Sequence, residues 1–303
     1  MSTRFFQIAR HLYCEPWLIR PEMHAILRDI FTAHLSGGDP EAQRRELGNQ
    51  LFNARRLPKI SLTNAGPGDD DPNGQRPPYS MVGNIAVVPL VGVIGNRVGM
   101  LEKSSGVTDC MDFCTAMKLA TEDTNVHGVV IEIDSPGGTV SGVSEAAAAV
   151  ERCGTVKPVV SYTDSMMASA AYWIGCAAKA IYCGDMASVG SVGVYMSLLD
   201  SSEAYKKQGV SVDVIKSGKF KGIGIEGTSL TEEQRAYLQQ HIDDIGTAFR
   251  KHVSGHRQKI KGEHLDGRDF IGTKAAQLGF ADTISNLETA ITDAGRMTRF
   301  LKK

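Results

Sequence analysis

Beyond residue 80 the chain alternates between short apolar runs rich in β-branched residues and longer amphipathic or alanine-rich stretches. Ile85-Ala86-Val87-Val88-Pro89-Leu90-Val91 and Gly128-Val129-Val130-Ile131-Glu132-Ile133-Asp134 are nearly continuous apolar runs of strand length. That is the pattern of strands buried on both faces. Pro158–Tyr162, Ala180–Tyr182 and Ser211–Ile215 read as further strands. Helical spacing runs over Ser144–Arg152 and over Ala168–Ala178. Thr231-Glu232-Glu233-Gln234 has the form of a capping box and predicts a long helix from there to about Val253. Strands separated by helices predict an α/β domain with a mainly parallel sheet covered by helices.

The first 62 residues have a different pattern. They read as helical and amphipathic, with Pro16, Trp17 and Pro21 interrupting. Pro21-Glu22 suits the opening of a helix through Met23-His24-Ala25-Ile26-Leu27. Residues 63–80 hold many Pro, Gly and Asp and little to bury, the composition of a linker. The expected organisation is a helical N-terminal segment over 1–62, a flexible linker over 63–80 and the α/β domain over 81–303.

Composition narrows the field. The chain has 303 residues, 42% hydrophobic and 22% charged, with a formal net charge of -1. Such a balance gives no electrostatic case for nucleic acid or an anionic membrane. No run approaches the roughly 18 uninterrupted apolar residues of a membrane span, so no membrane anchor is expected. The start, Met1-Ser2-Thr3-Arg4-Phe5-Phe6-Gln7, lacks the apolar core of a secretion signal. Six cysteines sit in apolar surroundings and read as reduced, buried thiols of a cytoplasmic protein. Cys110 and Cys114 are four apart, but no second Cys or His pair has matching spacing, so no metal site is expected.

Three segments supply a nucleophile, a base and an oxyanion site together. Ser169 lies in Met167-Ala168-Ser169-Ala170-Ala171-Tyr172-Trp173, among residues small enough to admit a substrate backbone. A serine hydroxyl needs a base to take its proton. Lys221, in Lys216-Ser217-Gly218-Lys219-Phe220-Lys221, is the candidate, provided that apolar cover from Phe220 and Ile223 favours its neutral amine. Gly137 and Gly138 follow a strand and allow N–H groups to point into a cavity, as an oxyanion requires. Each has a plainer reading: a helix N-cap for Ser169, a surface amine for Lys221, a simple turn for the glycines. Asp164 reads as a turn residue. No histidine falls in an obvious catalytic turn, although triad partners need not be near in sequence.

Taken in order, these pieces resemble the signal peptide peptidase A family of Ser/Lys endopeptidases, and within it the bacteriophage branch of capsid assembly proteases. The resemblance covers about residues 83–293. It rests on Asp134-Ser135-Pro136-Gly137-Gly138, Ala168-Ser169-Ala170-Ala171-Tyr172, Ser188-Val189-Gly190-Ser191-Val192-Gly193-Val194, the Lys216–Lys221 segment and Gly279-Phe280-Ala281-Asp282. It implies Ser169 as nucleophile, Lys221 as general base and the Gly137/Gly138 turn as oxyanion hole. Ser188, Gly190, Ser191 and Val192 would line the substrate cleft. The implied fold is the Clp-protease/crotonase type, a spiral of ββα units. Ala170-Ala171 departs from the usual Gly-Gly after the serine.

The resemblance further implies an ATP-independent serine endopeptidase without cofactor or metal, acting on protein or peptide. It implies a homo-oligomeric ring in which neighbouring subunits share the dyad, at work in the host cytoplasm or an assembling prohead on capsid or scaffold proteins. Two other readings compete. A crotonase-type acyl-CoA enzyme would use the same fold without needing Ser169 or Lys221. An inactive capsid scaffold component would need neither cleavage nor a base.

Overall fold

The computed structural model describes residues 16–21, 23–24, 77–99, 103 and 106–301. Strand β1 is Trp17–Ile19, followed after the undescribed stretch by β2 (Ser80–Val82), β3 (Ile85–Val91), β4 (Val93–Gly95) and β5 (Val107–Asp109). Helix α1 is Cys110–Glu122. Then come β6 (Gly128–Asp134), β7 (Gly137–Thr139) and α2 (Val143–Gly154), and after them β8 (Val159–Thr163), β9 (Met166–Ala168) and α3 (Ala170–Gly175). The chain continues through β10 (Ala180–Cys183), β11 (Ser188–Gly190), α4 (Ser202–Lys207) and α5 (Glu232–His256). It closes with β12 (Asp269–Ile271), α6 (Gly272–Leu278), β13 (Thr283–Ile284) and α7 (Leu287–Leu301).

The units β3–β4–α1, β6–β7–α2 and β8–β9–α3 repeat one ββα plan, with β5 added in the first. Their first strands pair in parallel in the main sheet, ordered β13-β10-β8-β6-β3-β2. Their second strands turn away into two small sheets, β1-β7-β4-β5 and β12-β11-β9. The fold is therefore α/β with a spiral of ββα units. Leu90, Ile131 and Ile133 are fully buried on strands covered on both faces, which is why β3 and β6 read as unbroken apolar runs.

Helix α5 starts where the capping box placed it. Thr231 Oγ1 accepts from Gln234 N at 3.2 Å, and Thr231 N donates to Gln234 Oε1 at 3.1 Å. The closing Gly279–Asp282 segment is a structural clasp. Gly279 ends α6 in the left-handed region, at φ 90°. Asp282 Oδ2 accepts from Ile181 N and from the buried Arg257 guanidinium, each at 2.8 Å.

Three expected elements differ. Ser211–Ile215 is not a strand: its residues alternate between half-buried and exposed, but among the described residues no neighbouring strand supplies ladder partners. Ala168–Ala178 does not form one helix, because Ala168 ends β9 and the helix occupies only Ala170–Gly175. Within the segment read as helical, Trp17–Ile19 is a strand joined to β7, with Pro16 and Pro21 flanking it. Residues 21, 23 and 24 have helical backbone; the rest of 1–62, and 63–76 of the linker, lie outside the described residues.

Candidate active site

Ser169 stands between β9 and α3 with φ 56° and ψ −117°, a left-handed backbone unusual for a residue with a side chain. Its N–H donates to Gly190 O at 2.8 Å and its carbonyl accepts from Trp173 N at 2.9 Å. The backbone is thus held from both sides. Ser169 occupies the N-cap position, yet its side chain makes no capping bond. The hydroxyl is left for other work, and the bland capping reading fails. Ala170 and Ala171 behind it are fully buried, so methyl groups here fill the space under α3.

Gly137 lies against this turn. Its φ is 101°, and a methyl group placed on it would sit 2.9 Å from Ser169 Cβ and 3.0 Å from Ala170 N. Gly138 is packed still more closely: a methyl group there would meet Ile94 O at 1.8 Å. Neither position admits a side chain. Gly137 N donates to Ser135 Oγ at 3.2 Å. Ser135 is fully buried, and Ser135 N and O bond Met166 and Ala168, which ties the glycine turn to the strand that carries Ser169.

The expected cleft segment also reaches this point. β11 pairs in parallel with β9 and antiparallel with β12, so Gly190 lies beside Ala168 and its carbonyl holds Ser169. Ser191 has φ 56° and its N–H donates to Arg268 O. Val192 is buried in the main core. Ser188 Oγ bonds Asp269 Oδ2. The structure therefore brings Gly137 and Gly190 against Ser169, with Gly138 next to the first, and Ser188 and Ser191 on the segment that carries the second.

Lys221 is elsewhere in this chain. It is exposed, in a turn after Lys216, and its N–H bonds Gly218 O. Its neighbours lean on α5: Lys219 pairs with Glu233, and the Phe220 ring stacks on Tyr237 at 4.9 Å. Among the described residues no hydrogen bond joins Lys221 to Ser169. The apolar cover expected from Phe220 is spent on Tyr237.

Two features escaped the sequence reading. Asp269 stands beside the cleft strand, bonded to Ser188 and 3.7 Å from the Arg20 guanidinium. Cys176, His252 and His256 offer ligand atoms within 4.8 Å of one another, a cluster that could hold a metal ion. His252 and His256, four apart and one helical turn apart on α5, are a pair of matching spacing that the sequence reading passed over, and Cys176, the C-cap of α3, joins them only on folding. Burial pushes the Cys176 thiol up to about 12, and its sulfur already bonds Trp173 O at 3.3 Å. The donor set is one that metals use, but the thiol here is held protonated.

The model of peptidase family S49 matches residues 151–299, which includes Ser169, β11 and Lys221. Capsid assembly protease C of Escherichia phage lambda is 30% identical over 94% of this chain and 64% of its own length. Head-tail preconnector protein GP5 of Enterobacteria phage P21 is 30% identical over 72% of this chain and 44% of its own. A putative signal peptide peptidase SppA of Enterococcus faecium is 29% identical over 59% and 54%. This chain thus spans less than two thirds of the length of each of these relatives. Among solved structures, an enoyl-CoA hydratase from Polaromonas sp. JS666 covers 74% of the chain and 76% of its own at a TM-score of 0.42 and 13% identity, too remote to carry chemistry. The strained serine turn, the glycine turn against it and the matched segment agree, and the chain is a relative of the S49 peptidases.

Proposed function

We propose that the protein is an ATP-independent serine endopeptidase with a Ser169/Lys221 dyad, acting on capsid or scaffold proteins of a phage or prophage. The observation that carries this reading is the Ser169 turn itself. A serine held in the left-handed region, free of any capping duty and pressed against a glycine that tolerates no side chain, is built to present its hydroxyl.

Ser169 Oγ attacks the peptide carbonyl as the Lys221 amine takes its proton. N–H groups of the Gly137/Gly138 turn hold the oxyanion, and removing one such donor typically costs on the order of 3 kcal/mol. The protonated amine then releases the leaving amine, and Lys221 activates the water that frees the acyl group. Ser188, Gly190 and Ser191 form the wall along which substrate lies, and Val192, buried in the core, backs it from behind. Since Lys221 is exposed and no hydrogen bond among the described residues joins it to Ser169, the dyad is completed by a neighbouring copy in a homo-oligomeric ring. Ring closure also supplies the desolvation that favours a neutral amine. A substrate from the capsid is suggested by the names of the two phage relatives, a capsid assembly protease and a head-tail preconnector protein.

Ser169→Ala should abolish cleavage of unfolded casein and labelling by a fluorophosphonate probe, with the thermal unfolding curve preserved. Cleavage retained by that variant would refute the reading.

A further inference from the structure

We propose that the chain's own segment Pro16–Arg20 occupies the peptide-binding groove as a substrate would, so that it must leave before another peptide enters. This rests on the reading of Ser169 as nucleophile and adds how that site is occupied and gated.

β1 runs antiparallel to β7, the strand made of the two glycines and Thr139, in the register Trp17↔Thr139, Leu18↔Gly138 and Ile19↔Gly137. Arg20 N donates to Pro136 O, and Val140 N to Pro16 O. Antiparallel ladders alternate bonded and non-bonded pairs. Leu18 and Gly138, midway between those two pairs, therefore face each other with their N–H and C=O groups, and the Leu18 carbonyl looks at the Gly138 N–H. On its other edge Trp17 exchanges both backbone bonds with Tyr195, at 2.9 and 3.1 Å, just beyond the cleft segment. The segment is thus clamped between two lips as an added strand, a common way of binding peptides.

Its placement relative to the serine is that of a substrate. The methyl position on Gly137 is 2.1 Å from Leu18 O and 2.9 Å from Ser169 Cβ. Those two atoms are no farther apart than the sum of the two distances. Side chains alternate as strand recognition requires. Leu18 enters the core cluster that contains Met167 and Ala170, whereas Trp17 and Ile19 join Val93 in a separate cluster. Arg20 extends to Asp269, the carboxylate bonded to Ser188 of the cleft wall. The groove accordingly takes an extended peptide with an apolar residue over Gly138 and a basic residue two positions on. Past Pro21 and Tyr195 it opens into a cavity of about 540 Å³ whose lining includes Leu198, Leu230, Leu238 and Ile242.

The test uses the full chain in two ways. In the first, Trp17→Cys and Tyr195→Cys are combined in a Cys14→Ser background. A bonded antiparallel pair has the spacing a disulfide needs. Oxidation should lower casein cleavage at least ten-fold and reductant should restore it; equal rates in the two forms would overturn the proposal. In the second, the Ser169→Ala chain with and without Leu18→Asp is titrated with a fluorescent peptide, Glu-Pro-Trp-Leu-Ile-Arg-Pro. Leu18→Asp should release the segment, and anisotropy should report at least ten-fold tighter peptide binding. Unchanged binding by a variant with a native circular dichroism spectrum would overturn the proposal. If no form cleaves casein, the peptidase reading fails while the binding measurement still decides the groove; if Leu18→Asp does not fold, the disulfide lock decides it.

Discussion

At the scale of single residues, strain and close approach identify the site better than residue type does. Ser169 and Gly137 share one tight contact, and both lie in the left-handed region. Gly137→Ala would add a methyl group 2.1 Å from Leu18 O and hold a side chain at φ 101°. We expect it to lower the unfolding free energy by about 1–3 kcal/mol and to cut peptide cleavage, read from urea titrations and initial rates on the same preparation. Glu132, on β6, is a second informative position. Burial, together with the nearby Asp164 and Asp134, raises its carboxyl above the ordinary range. A raised folded-state value means that the folded protein holds the proton more tightly than the unfolded chain. The stability from this group is therefore present below the ordinary value near 4.5 and is lost as pH rises through the raised value. Glu132→Gln should be more stable than the parent at pH 7, and the difference in urea midpoint should close below pH 4.5; a constant difference across that range would contradict this account.

At the scale of elements, the chain's pattern was most readable where two faces are buried. β3 and β6 fall on the boundaries that their apolar runs predicted, because strands buried over most of their length carry few polar positions to blur them. The start of α5 was legible for a different reason: its cap is a local four-residue device. Thr231→Ala should cost about 1 kcal/mol of stability, measured by thermal unfolding, with cleavage specificity unchanged. What was not legible depends on tertiary neighbours. Ser211–Ile215 has strand composition but meets no strand among the described residues. Trp17–Ile19 sits between prolines in a segment with helical spacing, and only the vacant edge of β7 makes it a strand. The serine turn was found through its neighbours in order along the chain, whereas Asp269 and the Cys176/His252/His256 group come together only on folding.

At the scale of the whole molecule, the ββα plan, present three times, sets the glycine turn and β11 against the serine turn. Lys221, the proposed base, is exposed on a turn that leans on α5. Among the described residues no helix is long and apolar enough to cross a membrane. In the proposed mechanism the hydroxyl of one subunit meets the amine of the next. Mixing chains tests this most directly. Ser169→Ala and Lys221→Ala protein, each inactive alone, are unfolded together, refolded and assayed on casein. In a head-to-tail ring assembled at random from equal amounts, roughly one interface in four joins an intact Ser169 to an intact Lys221. The account predicts recovery of about a quarter of the parent activity. A mixture that assembles yet stays inactive, or Lys221→Ala protein that cleaves unaided, would contradict it.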